Sequence, residues 1–572
     1  MKLVEVVIEN YRGIRSLHLH LDGLTVLIGE NNVGKSAVLE ALRVVLARGL
    51  NSRRAGQFTE YDFHLADANA MPQTAQAIKL LLHFAEEQRN EWPEEIAQQM
   101  NDAIQLDVQG LGHIRLKATG IFNLNLAGFE TKLAFVNSDG VERVLKNATP
   151  LALISKLVPL FFLSALRDAS QEFGQRGQFW SGFLKSIQLP DEEREELERT
   201  LQEVNNSVIG ASSDLAEVTQ RISEARRLVP LDSVDPVVLE AIPTRVFDMV
   251  GKIQVHLKSA DGAKIPLYRH GEGTQSLAVI MLFQAFVIAN LTEAYAPEST
   301  PILAMEEPEA HLHPSAIRSV GTLLNNMPGQ IIVTSHSGDL VSRVPITSLR
   351  RLYKRNGETY IGMVETNTLT ADERRHFDYH VRVTKGALLF ARCWLLVEGQ
   401  SEFWLFPKVA ELMNAGIDEK NIAVVEYSQG GGPTPFIKAA KALGIEWFVV
   451  ADGDHAGTDY INAAKENLEK GELEGAHMIQ LQDLDLEHVF WNAGFADVYK
   501  NAIPSSCLTS LEGQHQSGSQ AFADAVIKKA IGKRKKPGLA MDVVSEIERK
   551  GTNVIPKAIQ DTIRQIVKLA GG

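Results

Sequence analysis

The feature that most constrains this chain is a glycine-rich loop near its start, between an apolar strand and an amphipathic helix. Residues 29–36 have the spacing Gly-x-x-x-x-Gly-Lys-Ser, and an apolar helical pattern begins at Lys35. Backbone N–H groups and a helix N-terminus surround a polyphosphate in such a loop, whereas the alternative is a plain glycine-rich turn. The residues predicted to hold ATP and its Mg²⁺ are Gly29, Asn32, Gly34, Lys35 and Ser36.

Length and composition predict a large cytoplasmic globular protein. With 572 residues, 45% of them hydrophobic, the chain is long enough for about three structural units. Its two cysteines cannot form a disulfide framework, and Cys393 lies in an apolar run typical of a buried strand. No apolar stretch approaches the roughly 18 residues of a membrane span, and the N-terminus does not resemble a signal peptide. We therefore expect no membrane association.

The charge distribution limits how the chain can bind nucleic acid. A formal net charge of −13 argues against a protein that coats DNA by bulk electrostatics. Residues 528–536 form a local basic run, for which a solvated loop is the ordinary interpretation and a DNA-backbone contact is the functional one.

Apolar patterning predicts α/β architecture in both halves. In the first half, strands are expected at 2–10, 24–28, 157–164, 301–306 and 330–335, with a helix at 274–291. Charged amphipathic helices at 181–228 suggest an inserted arm, either a solvated surface or a dimer contact. The pattern weakens from about 350 to 390, which suggests a connector.

The last part of the chain alternates strands and helices in the rhythm of a parallel sheet. Strands are expected at 393–398, 422–426, 446–451 and 476–481, and helices at 401–414, 433–443 and 457–469. In such a sheet the functional site lies at the carboxyl ends of the strands.

Two acids and a histidine follow the apolar strands of the first half. Glu306 and Glu307 end the strand at 301–306, where we expect Glu306 to hold Mg²⁺ and Glu307 to polarise the attacking water. His336 follows the next strand, at the place of a γ-phosphate sensor. A lone histidine is usually structural, so this prediction depends on order and context.

This half resembles the ABC-type ATPase heads of recombination and chromosome-maintenance proteins. Residues 269–276, with Gly271 and Gly273, resemble their signature loop, although the sequence departs from the usual Leu-Ser-Gly-Gly-Gln. The resemblance implies that this loop binds the γ-phosphate held by an opposite subunit, and hence a homodimer or higher oligomer.

A second set of acids lies in the C-terminal half. Glu398 ends one predicted strand, and Asp452 and Asp454 end another, so parallel pairing can bring them to one sheet edge. Convergent carboxylates repel one another unless cations lie between them, and oxygen ligands favour Mg²⁺ or Mn²⁺. Such ions activate water for phosphodiester hydrolysis.

This region resembles a Toprim domain, and the whole chain resembles the OLD (overcoming lysogenisation defect) nuclease family, which includes the GajA nucleases of anti-phage defence. The resemblance matches the family's second glutamate to Glu402, a later acid to Glu487 with Asp485 as a neighbour that could substitute, and a lysine to Lys536. It implies one metal at Glu398, Asp452 and Asp454, and help with a second from Glu402 and Glu487. Lys536 would stabilise charge on the phosphate, which favours the DNA interpretation of the basic run.

The predicted fold is α/β: an ABC-type ATPase domain with an inserted helical dimerisation arm, followed by a Toprim parallel-sheet domain. The resemblance implies an ATP-regulated, metal-dependent DNA endonuclease or nickase of anti-phage defence, with a helicase-like or reverse-transcriptase partner. A non-cleaving DNA-repair ATPase is the alternative, and a topoisomerase or primase fits less well. Whether ATP is hydrolysed or only sensed stays open. The predicted boundaries are 1–165 and 251–350 for the ATPase, 166–250 for the arm, 351–390 for the connector and 391–572 for Toprim.

Overall fold

The computed structural model describes most of the chain and divides it into two compact units. The first unit comprises Met1–Phe162, Thr300–Glu309 and Ile317–Gly572, and the second comprises Leu163–Ser299 and Ala310–Ala316. The residues described are 1–46, 58–65, 67, 69–125, 127–145, 149–164, 190–215, 217–218, 240–250, 256–258, 264–293, 299–384, 386–428 and 431–571.

An antiparallel sheet begins the first unit. Its order is β2-β1-β4-β6-β5, with β7 also paired to β6. Buried residues alternate with less buried ones along β4 and β6, because successive side chains of a strand point to opposite faces. Its strands are β1 (Lys2–Tyr11), β2 (Ile14–His20), β4 (Ile78–Ala85), β5 (Gln105–Leu106), β6 (Gly112–Asn123) and β7 (Gly128–Phe135).

A second sheet carries the glycine-rich loop. Its order is β14-β13-β3-β12-β11-β8, and β3, β11, β12 and β13 run parallel. The predicted strands at 24–28, 301–306 and 330–335 are all confirmed. The strands are β3 (Leu24–Gly29), β8 (Leu160–Leu163), β11 (Ile302–Glu306), β12 (Gln330–Thr334), β13 (Leu349–Arg355) and β14 (Glu358–Gly362).

The segment 351–390, suggested as a connector, is built into the fold. Arg351 and Leu352 of β13 lie beside Ile28 and Gly29 of β3, and β14 pairs antiparallel with β13. A helix, Ala371–Val383, follows and is closed by a capping box at Thr370 and Glu373. The connector prediction was wrong because these strands carry arginines and lysines that hide their apolar alternation.

The C-terminal sheet is fully parallel, as predicted. Its order is β16-β15-β17-β18, and the strands predicted at 422–426 and 446–451 have those bounds in the structure. All five residues of β15 are buried, as a strand covered on both faces requires. The strands are β15 (Cys393–Val397), β16 (Ile422–Glu426), β17 (Glu446–Ala451) and β18 (Met478–Gln480).

Helices cover these sheets. In the first unit α1 packs against β1 and β4 as well as β3, β11 and β12, so it lies between the two N-terminal sheets. The helices of the first unit are α1 (Lys35–Leu46), α2 (Glu94–Met100), α3 (Thr149–Leu157), α8 (Gly338–Val341), α9 (Ala371–Val383), α10 (Gln400–Leu412), α11 (Thr434–Leu443), α12 (His455–Lys465), α13 (Glu474–His477), α14 (Leu486–Phe490), α15 (Ala496–Asn501), α16 (Ser505–Glu512), α17 (Gln520–Arg534), α18 (Lys536–Lys550) and α19 (Lys557–Leu569); α7 (Pro314–Leu324) begins in the second unit and ends in the first.

The second unit contains α4 (Asp191–Gly210), α5 (Val246–Val250), α6 (Glu272–Glu293) and the antiparallel pair β9 (His256–Lys258) and β10 (Lys264–Pro266). Helix α4 falls within the predicted inserted arm, whereas 166–189, 216 and 219–239 of that region lie outside the described residues. Across the described part of the chain, no helix is long and apolar enough to cross a membrane.

Candidate active site

The glycine-rich loop has the backbone geometry that its sequence predicts. Gly29 ends β3 with φ at +142°, and a Cβ there would lie 2.1 Å from the carbonyl oxygen of Leu352. Gly34 has φ at +109° and packs against Ile14. Asn32 adopts the left-handed region with φ at 62°, which asparagine tolerates better than most residues. The loop therefore needs glycine at both ends.

Lys35 is buried and hydrogen-bonded to the backbone of the loop. Its Nζ donates hydrogen bonds to the carbonyl oxygens of Gly29 at 2.9 Å and Glu30 at 2.7 Å. An ammonium has three donors, so one remains for a ligand. Burial lowers the pKa of Lys35 to about 8, partly offset by the nearby carboxylate of Glu307. A phosphate would restore the stabilisation that burial removes from this charge.

The acids after β11 lie beside the loop. Ser36 Oγ donates a hydrogen bond to Oε1 of Glu306. Glu307 has a backbone φ of 43°, unusual for this residue type and a form of strain found at functional sites. His336 Nε2 lies 3.5 Å from Oε1 of Glu307, so the predicted sensor and the predicted water-polarising acid are neighbours. Burial lowers the pKa of His336, and Lys35 adds to this effect.

Glu309 has a role that the sequence analysis did not assign. Its side chain is 9% exposed, and Oε1 accepts hydrogen bonds from Ser335 Oγ at 2.7 Å, the His336 N–H at 2.8 Å and the Ser337 N–H at 3.2 Å. Burial raises the pKa of Glu309 despite these donors. Glu309 therefore fixes the loop that presents His336. The sequence feature that could have indicated this role is the Glu-Pro-Glu motif at 307–309.

The predicted signature loop lies in the second unit at the start of α6. Gly273 is packed so closely that a Cβ there would lie 2.9 Å from the carbonyl oxygen of His311. Glu272 Oε2 lies 3.1 Å from His311 Nδ1, and Gln275 Nε2 donates a 2.6 Å hydrogen bond to the carbonyl of His270. These contacts shape the loop, and the roles of Gly271 and Gly273 toward nucleotide stay predictions.

In the C-terminal sheet the predicted acids meet at one edge. Val397 pairs with Val450, so the two central strands present Glu398 and Asp452 side by side. The N–H of Asp452 donates a 3.0 Å hydrogen bond to Oε2 of Glu398. Asp454 caps α12, because its side chain accepts a 2.7 Å hydrogen bond from the Gly457 N–H.

Three acids with buried oxygens lie around this edge. Glu402, in the first turn of α10, and Glu487, in the first turn of α14, are each 3% exposed. Glu402 Oε2, Asp452 Oδ1 and Glu487 Oε2 are buried without a hydrogen-bond partner in the described structure. Burial and then the neighbouring Glu487 raise the pKa of Glu402 to about 7; burial and then Glu402 and Glu398 raise that of Asp452 to about 9.

Lys536, at the start of α18, faces these acids. Its Nζ lies 3.9 Å from Oε2 of Glu487, whose other oxygen accepts a 2.5 Å hydrogen bond from Ser401 Oγ. Burial opposes the charged form of Lys536, but Glu487, Glu402 and Asp452 together raise its pKa. The lysine therefore stays cationic beside a carboxylate cluster.

Asp485, considered as a substitute for Glu487, is committed to another partner. It caps α14, and its Oδ1 lies 2.5 Å from His488 Nδ1, while His488 Nε2 lies 3.0 Å from Asp524. The bond to Asp485 is the largest cause that raises the pKa of His488. Asp485 thus holds His488, and Glu487 is the one of these two acids with a buried oxygen that lacks a hydrogen-bond partner.

The cluster has the donor set of a site for hard divalent cations. Buried oxygens without partners are costly unless a cation satisfies them. As the side chains stand, no three His, Cys, Asp or Glu in the described residues are arranged to hold a metal ion. The acids therefore converge without forming a preset coordination shell. The side chains available to a metal are those of Glu398, Glu402, Asp452, Asp454 and Glu487.

The basic run lies on the end of α17 and the start of α18. Arg534 is tied to Asp542 by two 2.8 Å hydrogen bonds. Lys528, Lys529, Lys533 and Lys535 are exposed. Lys536 ends this run and is the member of it that lies at the carboxylate cluster.

A nucleotide-type loop on a mixed sheet and an acidic edge on a parallel sheet define the class: a fold of the ATPase-head type followed by a Toprim domain. The chain belongs to the family described as protein of unknown function (DUF2813), whose model matches residues 1–387. A model described as the OLD protein-like TOPRIM domain matches residues 389–454. The resemblance to the OLD family is confirmed, and so is the predicted α/β fold with a parallel sheet in the C-terminal domain.

Related proteins match over most of their length. The uncharacterized protein YbjD of Escherichia coli K12 is 27% identical, with 100% of both chains covered. The Old nuclease of Escherichia phage P2 is 23% identical, covering 79% of this chain and 77% of the relative. The endonuclease GajA of Bacillus cereus VD045 is 22% identical, covering 79% and 75%.

Proposed function

We propose that this protein is a divalent-metal-dependent DNA endonuclease or nickase whose activity is regulated by ATP. The observation that carries the proposal is the set of buried carboxylate oxygens on Glu402, Asp452 and Glu487 that lack hydrogen-bond partners, beside the cationic Lys536. Such charge destabilises a folded domain unless it serves a ligand. The names of the relatives, Old nuclease and endonuclease GajA, support the same reading.

The acids divide into two groups by position. Glu398 and Asp452 lie at the ends of neighbouring strands and, with Asp454, would hold one Mg²⁺ or Mn²⁺. Glu402 and Glu487 lie deeper and would help with a second ion. Bound divalent ions supply an activated water and stabilise the leaving oxygen.

Lys536 acts on the substrate phosphate. Its position 3.9 Å from Glu487 keeps the ammonium at the acidic edge, where it neutralises charge that accumulates on the phosphate during cleavage. The exposed lysines of α17 contact the DNA backbone on either side, as phosphate contacts that position without reading sequence.

The head binds ATP at the glycine-rich loop. Lys35 retains one donor for the phosphates, Ser36 and Glu306 would hold Mg²⁺, and the neighbouring pair Glu307 and His336 would sense the γ-phosphate. The signature loop completes this site from a second copy of the chain, so the working protein is a homodimer or a larger assembly. Its setting is cytoplasmic defence against phage DNA, with a helicase-like or reverse-transcriptase partner.

The test is cleavage of supercoiled plasmid by the purified protein with Mg²⁺ or Mn²⁺. Wild type should convert supercoiled to nicked or linear DNA, and Glu402→Gln should reduce the rate at least about 100-fold, as loss of a site built for the transition state does. Glu411→Gln is the matched control, because Glu411 lies on the same helix, exposed and paired with Lys408. Equal rates for wild type and Glu402→Gln would reject the site, and binding without cleavage would favour the non-cleaving ATPase.

A further inference from the structure

A residue of the nucleotide loop is paired with a residue of the Toprim domain. The carboxylate of Glu30 accepts two hydrogen bonds from the guanidinium of Arg392, at 2.5 Å from Nε and 2.8 Å from Nη2. Arg392 is the largest cause that lowers the pKa of Glu30. Two-pronged pairs of this type are geometrically specific as well as attractive. The loop and the Toprim domain are therefore joined directly, within the first compact unit.

On the nucleotide side, Glu30 is also bound to the phosphate-binding lysine. Its carbonyl oxygen accepts the 2.7 Å hydrogen bond from Lys35 Nζ, while its carboxylate holds Arg392. Asn421 Nδ2 adds a 3.4 Å hydrogen bond to the same carboxylate and donates to the carbonyl of Phe390 at 2.9 Å. One residue thus contacts the phosphate-binding lysine through its backbone and the Toprim domain through its side chain.

On the Toprim side, Arg392 directly precedes the strand that ends at the carboxylate site. Its N–H donates to the carbonyl of Asn421 at 2.7 Å, and its carbonyl accepts from the Glu446 N–H at 3.0 Å. Strand β15 follows, fully buried and paired on both sides, and Glu398 comes directly after it. At ~3.3 Å per residue, a rigid strand about 20 Å long joins Arg392 to Glu398.

The backbone around this pair is anchored by a second arginine. Arg351 of β13 is 4% exposed and donates to the carbonyl oxygens of Ala391 at 2.8 Å, Gly444 at 3.1 Å and Leu443 at 3.2 Å. Because β13 lies beside β3, this arginine fixes the Toprim strand starts to the sheet that carries the loop. The half-exposed pair of Glu30 and Arg392 is the part of the junction whose side chains are able to rearrange.

We propose that Glu30 and Arg392 couple nucleotide binding at Lys35 to the position of Glu398. Arg392 is a positioning residue: it contacts the loop through Glu30 and transmits a change at the loop along β15. Phosphates that bind Lys35 alter its hold on the Glu30 carbonyl, and the carboxylate of the same residue carries the change to Arg392. The effect of nucleotide on cleavage rests on the proposed function, whereas the effect of Arg392 on nucleotide affinity does not.

The first test compares plasmid nicking with and without a nonhydrolysable ATP analogue, at constant free Mn²⁺. Arg392→Gln should bring the ratio of the two nicking rates about three- to five-fold closer to one than in wild type, which is the size of effect expected from a two-pronged, half-exposed ion pair. Arg392→Lys keeps the positive charge but lacks the two-donor geometry of the guanidinium, so its ratio of nicking rates should lie between those of Arg392→Gln and wild type. Arg355→Gln is the matched control, because Arg355 pairs with Glu446 between the same two sheets, on the strand that also carries Arg351.

The second test measures affinity for a fluorescent ATP analogue and needs no cleavage. Because Arg392 is joined through Glu30 to the phosphate-binding lysine, Arg392→Gln should change this affinity about three- to five-fold, while Arg355→Gln leaves it within about 1.5-fold of wild type. The coupling would be overturned if Arg392→Gln had the same ratio of cleavage rates and the same nucleotide affinity as wild type. It would also be overturned if the cleavage rate of wild type did not change with nucleotide. If no protein cleaves but Arg392→Gln shifts the affinity relative to Arg355→Gln, the coupling stands and the nuclease proposal fails.

Discussion

The backbone N–H of Asp452 donates a 3.0 Å hydrogen bond to the carboxylate of Glu398, although 54 residues separate them in the chain. This bond exists because β15 and β17 are parallel neighbours that end at the same edge. It holds one oxygen of Glu398 in place beside Asp452, whose own Oδ1 lacks a partner. The acidic edge is therefore a consequence of the strand order.

The buried Glu402 should destabilise the metal-free protein. A carboxyl whose pKa is raised from 4.5 to about 7 in the fold lowers stability above its unfolded pKa, since the unfolded chain ionises more easily. Glu402→Gln should therefore raise the free energy of unfolding at pH 8 by about 1–3 kcal/mol without metal. Thermal melts should also show a Mn²⁺-induced rise in Tm for wild type that Glu402→Gln reduces. A less stable metal-free variant would contradict this account.

Lys536 and Lys535 should separate catalysis from DNA binding. Lys536→Met should reduce the cleavage rate about 100-fold or more, because it removes a charge from the transition state. Lys535→Met should leave the cleavage rate at saturating DNA nearly unchanged. It should reduce the slope of log DNA affinity against log salt concentration by about one, because one phosphate contact is lost. Plasmid kinetics and fluorescence anisotropy at several salt concentrations measure both quantities. Similar kinetic losses in the two variants would argue against a specific role for Lys536.

Gly29→Ala should abolish nucleotide binding. Its Cβ would lie 2.1 Å from the Leu352 carbonyl, and φ at +142° is a conformation that residues with a side chain rarely adopt. Gly23→Ala is the matched control at the other end of β3, where nothing lies within 4 Å of the added carbon. Calorimetry with Mg²⁺ and ATP should detect binding in the control only. Retained binding in Gly29→Ala would show that the loop does not hold nucleotide.

Glu309→Ala should loosen the segment that carries His336. Three donors, on Ser335, His336 and Ser337, would lose their shared acceptor inside the protein, which costs about 1–3 kcal/mol for each unsatisfied group. We expect weaker discrimination between ATP and ADP in a fluorescent-nucleotide competition assay. Glu309→Gln keeps the acceptor oxygen, so its discrimination between ATP and ADP should lie between that of wild type and that of Glu309→Ala. Identical discrimination in all three proteins would exclude this role.

Arg351→Gln should destabilise the first unit much more than Arg355→Gln. Arg351 is buried, burial lowers its pKa to about 10, and three main-chain carbonyls depend on it. Loss of a buried network of this type costs about 3 kcal/mol or more, whereas the exposed pair of Arg355 and Glu446 is worth under about 1 kcal/mol. Urea denaturation followed by tryptophan fluorescence should show the difference. Equal midpoints would mean that the junction does not depend on Arg351.

The elements with strong apolar signals were predictable from sequence. Strands β16 and β17 were predicted to the residue, because short apolar runs in α/β proteins between helical patterns leave little choice. Strand β2 was not predicted and β13 was mistaken for connector, since histidines and arginines interrupt their apolar pattern. Their place is set by pairing with β1 and β3, which is tertiary information.

The candidate site was predictable where local order encodes it. Glu398 and Asp452 follow strands, so their convergence could be inferred from parallel pairing. The partnership of Glu30 with Arg392 spans 362 residues, and no periodicity in the sequence points from one to the other. Asp485 and Glu487 differ by only two positions, and the structure separates them through the contact of Asp485 with His488.

The central claim is that the carboxylates converging at the edge of the C-terminal sheet bind divalent metal, and anomalous diffraction from Mn²⁺-soaked crystals tests it most directly. The account predicts a manganese peak within coordination distance of Glu398 and Asp452, and its absence from crystals of Asp452→Asn. Crystals with manganese at other positions and none at this edge would contradict the account.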